Sequence, residues 1–234
     1  NIQAITSDAA GNLAVVDSQF NALRLVSSTG VVSSLAGGST QSGQLDGQGK
    51  AARFQFPLSV ARDAAGNFFV ADGTAIRKVT PSGQVSVHAC SLNGPPTYQG
   101  LLDGERLSAR CYSPRGLAFD PAGNLYFGDL YAVRRIDPQG MLSTIAGAGH
   151  ANGSIDDGTG AAAIVNAPNG MVWSTAANAM LFVEPQLGIV RTVTGGGVVK
   201  TIAGLAATTG LVNAQGSSAR ASSSPGFAKW SIPM

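Results

Sequence analysis

Short apolar runs, each closed by Gly, Pro, Asn or Asp, follow one another along this chain. The stretch from Pro114 to Gly147 shows the pattern most clearly. Leu117 to Phe119 is apolar and is followed by Asp120-Pro121-Ala122-Gly123-Asn124. Leu125, Tyr126 and Phe127 form a second run, stopped by Gly128-Asp129. Val133 to Ile136 is a third, Asp137-Pro138-Gln139-Gly140 is the next turn, and Met141 to Ala146 is a fourth. Runs this short, bounded by residues that tolerate turn backbone, predict antiparallel hairpins and not helices. A four-stranded meander of this kind has two apolar faces, so it needs a neighbour on each.

The rest of the chain supplies neighbours by repetition. Pro57, Pro114, Pro168 and Pro225 open successive units at spacings of 57, 54 and 57 residues. The first turn recurs at Asp8 to Asn12, Asp63 to Asn67, Asp120 to Asn124 and Ser174 to Asn178. The second strand ends in an acid each time (Asp17, Asp72, Asp129, Glu184), and an arginine follows (Arg24, Arg77, Arg134, Arg191). Gly30, Gly83, Gly140 and Gly197 mark the last hairpin turn. A four-stranded unit repeated in phase predicts the blades of an all-β propeller. The blades fall at about 1–36, 57–90, 114–147 and 168–204, with the first strand of a fifth at 225–231. The chain reads as one propeller domain or a piece of one. Both ends match first strands, so either further blades of the same chain or other copies of it complete a larger ring. On that reading Phe227 and Trp230 are candidate assembly contacts.

The elements P-x-G-L-A-F-D, G-N-L-Y-F-G-D, A-V-R-R-I and S-T-I-A-G resemble those of the NHL-repeat family of β-propellers, in its long-period bacterial form. The link from Asp46-Gly47 through Ala52-Arg53-Phe54 to Pro57, matched by Asp103-Gly104 through Ala109-Arg110 to Pro114, belongs to the same resemblance. The resemblance implies the fold and leaves function open, because propellers host binders and enzymes alike. Related six-bladed propellers include metal-dependent lactonases and lyases with acids, Asn or His in the central channel. The first strands here offer Arg62, Phe119, Trp173, Lys229 and Trp230 instead.

Composition changes the picture in one respect. Only 12% of the 234 residues are charged, and Ser, Thr, Asn and Gln supply much of the polar surface. That balance predicts an exported protein: extracellular, periplasmic or on the cell surface. The net charge of +2 makes no case for nucleic acid, and no apolar run approaches the length of a membrane span. Cys90 and Cys111 both depart from the repeat, standing where sister units have Gly37 and Gly147, and Phe54 and Ile164. Departure together predicts a disulfide, which suits export.

Strand direction places the turns after Asp17, Asp72, Asp129 and Glu184 on one face, together with the long links 37–56, 91–113, 148–167 and 205–224. Long loops on a rigid scaffold are common sites of function. Phe20, Lys50, Tyr98, Arg106, Tyr131 and His150 are therefore candidates for contact with a protein or glycan ligand. The acid–arginine series recurs in every unit, which predicts a structural ion pair and not a site. His88 and His150 have no partner at metal-ligand spacing, and no nucleophile elbow is present. Asp156-Asp157-Gly158 and its counterparts Asp46-Gly47 and Asp103-Gly104 read as turns. The sequence thus favours a non-catalytic, cofactor-free binding or self-assembling module. The alternative is a fragment of a lactonase- or lyase-type propeller enzyme with its site in other blades.

Overall fold

A computed structural model describes residues 1–8, 10–38, 41–90, 101–147 and 156–204. Four antiparallel sheets form four blades of a β-propeller, and no α-helix occurs among the described residues. Blade one is β1 (Ile2–Ser7), β2 (Leu13–Asp17), β3 (Ala22–Val26) and β4 (Val32–Gly37). Blade two has β5 (Gly47–Gln48), β6 (Pro57–Arg62), β7 (Phe68–Asp72), β8 (Ala75–Val79) and β9 (Gln84–Ala89). Blade three has β10 (Gly104–Glu105), β11 (Pro114–Phe119), β12 (Leu125–Asp129), β13 (Ala132–Ile136) and β14 (Met141–Ala146). Blade four has β15 (Gly158–Thr159), β16 (Asn169–Ser174), β17 (Ala179–Glu184), β18 (Ile189–Val193) and β19 (Val198–Ala203).

Each blade is the predicted meander, and three of them carry one strand more. β5, β10 and β15 come from the links and pair with the outermost strands β9, β14 and β19. An outermost strand would otherwise present a row of free backbone groups. The meander itself follows from local chemistry. Asp8, Asp63 and Asp120 each accept the amide of the Asn four residues on, at 2.8, 2.7 and 2.9 Å, and that Asn returns its side-chain amide to the same carboxylate. The carboxylate thereby closes the turn between the first and second strands.

The innermost strands pack in sequence order, β1 against β6, β6 against β11 and β11 against β16. Between each pair of blades lies one apolar layer. Val16, Leu23, Phe54, Phe68 and Val70 fill the first. Phe69, Ile76, Leu117, Leu125 and Phe127 fill the second, and Tyr126, Val133, Met180 and Phe182 the third. Alternation along a strand sends one residue to each layer, so Phe68 and Phe69 serve different interfaces.

Gly128 is the tightest point of the third layer. A Cβ there would lie 1.9 Å from the carbonyl oxygen of Pro168, at the start of the next blade. Sister positions carry Val16, Ala71 and Val183, so the approach is particular to this interface. Gly128→Ala should therefore force β16 away and destabilise the protein by about 1–3 kcal/mol. Equilibrium urea denaturation reads this as a lower midpoint; an unchanged midpoint would contradict the close approach.

Candidate functional site

The recurring acid and arginine meet inside each blade. In blade two the Arg77 side chain is fully buried. Its Nη1 lies 3.3 Å from Asp72 and donates to the Arg53 carbonyl at 3.3 Å, while Nη2 reaches Asp46 at 2.5 Å. Asp72 in turn accepts the amides of Gln55 and Phe56 at 2.7 and 2.8 Å. Asp46 accepts the Val87 amide at 3.4 Å with its other oxygen. One guanidinium thus ties both legs of the link to the blade.

The same set recurs downstream. Arg134 joins Asp129, Asp103 and the carbonyls of Leu102 and Arg110. Arg191 joins Glu184, Asp157 and the carbonyls of Asp156 and Ile164. Tyr112 and Ser113 donate their amides to Asp129, and Asn166 donates to Glu184. Blade one differs. Arg24 is 3.9 Å from Asp17 and about a third exposed, and the amino group of Asn1 lies 3.3 Å from the same acid. The sequence anticipated the ion pair but not its third member. Asp46, Asp103 and Asp157, read there as turn residues, are the outer acids of the set. Their recurrence in one phase was the available signal.

The two acids on Arg134, and the two on Arg191, differ electrostatically. Burial raises Asp72 to about 6, against the pull of the Phe56 amide, Arg77 and the Gln55 amide. Burial likewise raises Asp129 and Glu184. Burial would also raise Asp103, but the Thr144 amide and the Arg134 guanidinium outweigh it and the carboxyl is lowered. Asp157 behaves the same way through Thr201 and Arg191. Around Arg134 and Arg191 the half-exposed outer acid thus keeps its charge opposite the guanidinium, and the inner acid is the first to protonate.

The links also redistribute the candidate ligand residues. Each described link runs down the outer edge of the next blade before returning. The Gly49 amide donates to the Gly83 carbonyl, and the Arg106 amide to the Gly140 carbonyl, both in the third-to-fourth-strand turns. Lys50, in the 3₁₀ turn Gly49–Ala51, and Arg106 therefore lie at the face of tight turns. Phe20 and Tyr131 lie at the other face, in the second-to-third-strand turns, where Phe20 is half exposed and Tyr131 partly buried. The single face expected for all of them does not hold, because the link does not stay at the end where it starts. Lys50 is exposed. The Arg106 guanidinium donates to the His88 carbonyl at 2.5 Å and borders Gly140, which fastens blade two to blade three. Tyr98, His150, Phe227, Trp230 and the strand expected at 225–231 lie outside the described residues.

Cys90 and Cys111 are bonded, with Cα atoms 5.6 Å apart. The geometry shows why both positions change together. Cys90 has φ 64°, the left-handed value its sister glycines Gly37 and Gly147 adopt. A Cβ on Gly37 would meet the Asn21 carbonyl oxygen at 2.3 Å and the Phe54 ring at 2.8 Å, and one on Gly147 the Tyr131 carbonyl oxygen at 2.2 Å and Val165 at 2.7 Å. Cys111 in place of that bulky side chain relieves the side-chain contact, not the carbonyl one, and brings its sulfur to Cys90. Val165, and not Ile164, is the residue of blade four that answers to Phe54 and Cys111. His88 packs edge-on against Phe69 with ring centroids 4.7 Å apart, and burial lowers it to about 4, so it is neutral at pH 7. Among the described residues no three His, Cys, Asp or Glu side chains gather as a metal-binding group.

Neither a family model nor a curated protein matches the sequence. Solved structures do match the fold. A Bacteroides thetaiotaomicron protein of unknown function is similar at a TM-score of 0.64 and 24% identity, over 86% of this chain and 46% of its own. An auxiliary nutrient binding protein from Bacteroides ovatus is similar at 0.66 and 16% identity, over 94% and 51%. An inactive variant of virginiamycin B lyase from Staphylococcus aureus, with quinupristin, is similar at 0.56 and 13% identity, over 86% and 55%. The chain thus spans about half the length of these proteins, and the likeness is one of fold.

Two outcomes test the buried set. Arg134→Met leaves Asp129 buried without its cation and should cost about 3–5 kcal/mol of stability, read from urea denaturation; a loss within experimental scatter would contradict the staple. The second concerns pH. Because the folded-state pKa of Asp72 is raised, the folded protein binds more protons than the unfolded chain between about pH 4 and about pH 6. Its contribution is fully present below that window and is lost as pH rises through it. The stability of the wild type relative to Asp72→Asn should therefore fall from pH 4 to pH 7. A difference that grows with pH would reverse the assignment.

Proposed function

We propose that this chain is an NHL-type propeller module acting outside the cytoplasm as a non-catalytic, protein-binding or self-assembling structural element. One observation carries the reading. The buried charged residues among the described residues are Asp17, Asp72, Arg77, Asp129, Arg134, Glu184 and Arg191, and all belong to the repeated acid–arginine series. Catalysis needs different groups converging once. Here the buried charge is a repeated set that holds the links of blades two to four, with Asp17 alone buried in blade one. The disulfide supports an oxidising compartment. Phe20 and Tyr131, each on a turn between the second and third strands of its blade, are the ligand-contact candidates of this reading. The description of two Bacteroides neighbours as auxiliary nutrient binding proteins accords with a binding role.

The second reading is a piece of a lactonase- or lyase-type propeller enzyme whose site lies in further blades. The fold likeness to virginiamycin B lyase favours it. An activity assay separates the two. The purified protein, incubated with Mg²⁺ or Mn²⁺ and a panel of lactones and cyclic depsipeptides, should give no turnover that a chelator abolishes. Chelator-sensitive turnover, absent from a control lacking protein, would overturn the non-catalytic reading.

A further inference from the structure

We infer that the joint between blades two and three is a redox lock: the Cys90–Cys111 bond closes it in place of the apolar wedge that closes the other two joints, and reduction of the bond opens this joint alone. The three joints share one plan, and this one departs from it at three positions. Between blades one and two the link inserts Phe54, and between blades three and four it inserts Val165, with exposures of 0% and 1%. Between blades two and three the same position is Cys111, smaller than either and only partly buried. Its sulfur lies 3.5 Å from Nη1 of Arg134, where Arg77 has instead the Phe54 ring, with its centroid 5.8 Å from the guanidinium carbon. Leu35 and Ile145 pack into the other two layers, and His88 stands in their place here, against Phe69. Gly37 and Gly147 have φ 71° and 85°, and Cys90 holds a side chain at φ 64°. Glycine occupies that backbone region far more readily than cysteine.

All three departures take apolar packing from this joint or add strain to it. What the joint has in return is one covalent bond. A wedge such as Phe54 holds in any redox state, and a disulfide holds in only one. With both cysteines reduced, Cys111 fills less of the layer than a wedge does, and Cys90 keeps its left-handed backbone without the bond that offsets it. A dithiol reductant reaches the pair through Cys111, because Cys90 is fully buried. One reductant thiolate bonds to Cys111 Sγ, the S–S bond breaks, and Cys90 leaves as a thiolate and takes up a proton. The second reductant thiolate then attacks the reductant sulfur of the mixed disulfide. Cys111 is released and protonated, and the reductant closes as a cyclic disulfide, so two electrons have passed to the protein. A reducing compartment thus leaves this joint loose, and an oxidising one closes it. The inference is independent of what the propeller binds.

Residue-resolved hydrogen exchange on the whole chain, oxidised and after dithiothreitol, tests this. Two amides report on the joint: Leu117 donates to Ser59 Oγ at 2.9 Å, and Cys90 donates to the Arg106 carbonyl at 2.7 Å. Gly147 makes the matching bond at the next joint, to the Gly160 carbonyl at 3.0 Å. On reduction, exchange at Leu117 and Cys90 should rise at least about tenfold, while Gly147 and Phe127 stay as slow as before. Cys111→Ala removes the bond without reductant and should raise Leu117 in the same way. The double variant Cys90→Gly with Cys111→Phe rebuilds the joint of blades one and two without a bond. Leu117 should be as protected in it as in the oxidised wild type, and dithiothreitol should change nothing. Unchanged exchange at Leu117 in Cys111→Ala, or in wild type shown by mass to carry two free thiols, overturns the inference. A rise that includes Gly147 and Phe127, or loss of the whole fold, overturns it too, because the bond then serves the fold and not one joint. A double variant as open as Cys111→Ala does the same, since wedge and bond are then not interchangeable.

Discussion

A buried guanidinium between two carboxylates is the interaction on which this structure depends. A propeller blade is a short meander, and nothing in a meander specifies where the link to the next one must run. Arg77, Arg134 and Arg191 supply that specification. Each binds an acid at the end of its own sheet, an acid in the descending leg of the link and a carbonyl in the ascending leg. The inner acid also accepts the link's backbone amides. Removing one partner would leave a charge buried without compensation, and all three members are present in blades two, three and four. Blade one is informative by contrast. Its Arg24 has the inner acid at 3.9 Å and is a third exposed.

The links held in this way perform three tasks at once. They cap the outer edges of blades two to four through β5, β10 and β15. They insert Phe54, Cys111 or Val165 between blades. They also set the distance from one blade to the next, since the ascending leg runs directly into the innermost strand. Inter-blade packing is then a matter of two-residue alternation. The same arithmetic that buries Phe68 on one side and Phe69 on the other leaves Ile5 and Ile202 facing outward.

Much of the fold was legible because its cause is local. Asp-x-x-Gly-Asn turns, Gly at hairpin corners and runs of three to six apolar residues mark strands by short-range chemistry. The ion pair was legible for the same reason, since Asp72 and Arg77 flank one turn. The outer acid was not, because Asp46 reaches Arg77 across a link whose path no local signal gives. That path also moved Lys50 and Arg106 away from Phe20 and Tyr131. A link that starts at one face can travel the length of the blade edge, and only backbone pairing with the next sheet shows that it does. The cysteine pair was legible through a different route: two departures from the repeat coincide, Cys90 at a left-handed glycine position and Cys111 where Phe54 and Val165 enter the blade interface, and the two are bonded.

The claim that the arginine set holds each link as part of the blade can be read directly from amide exchange. The amides of Tyr112 and Ser113 belong to the link but donate to Asp129 inside blade three. Native-state hydrogen exchange, resolved by residue, compares them with Phe127 in the central strand β12 and with Ala10 in an exposed turn. The account predicts that Tyr112 and Ser113 exchange as slowly as Phe127, opening only when the blade opens. Exchange at the rate of Ala10, with Phe127 still protected, would show that the link moves independently and would contradict it.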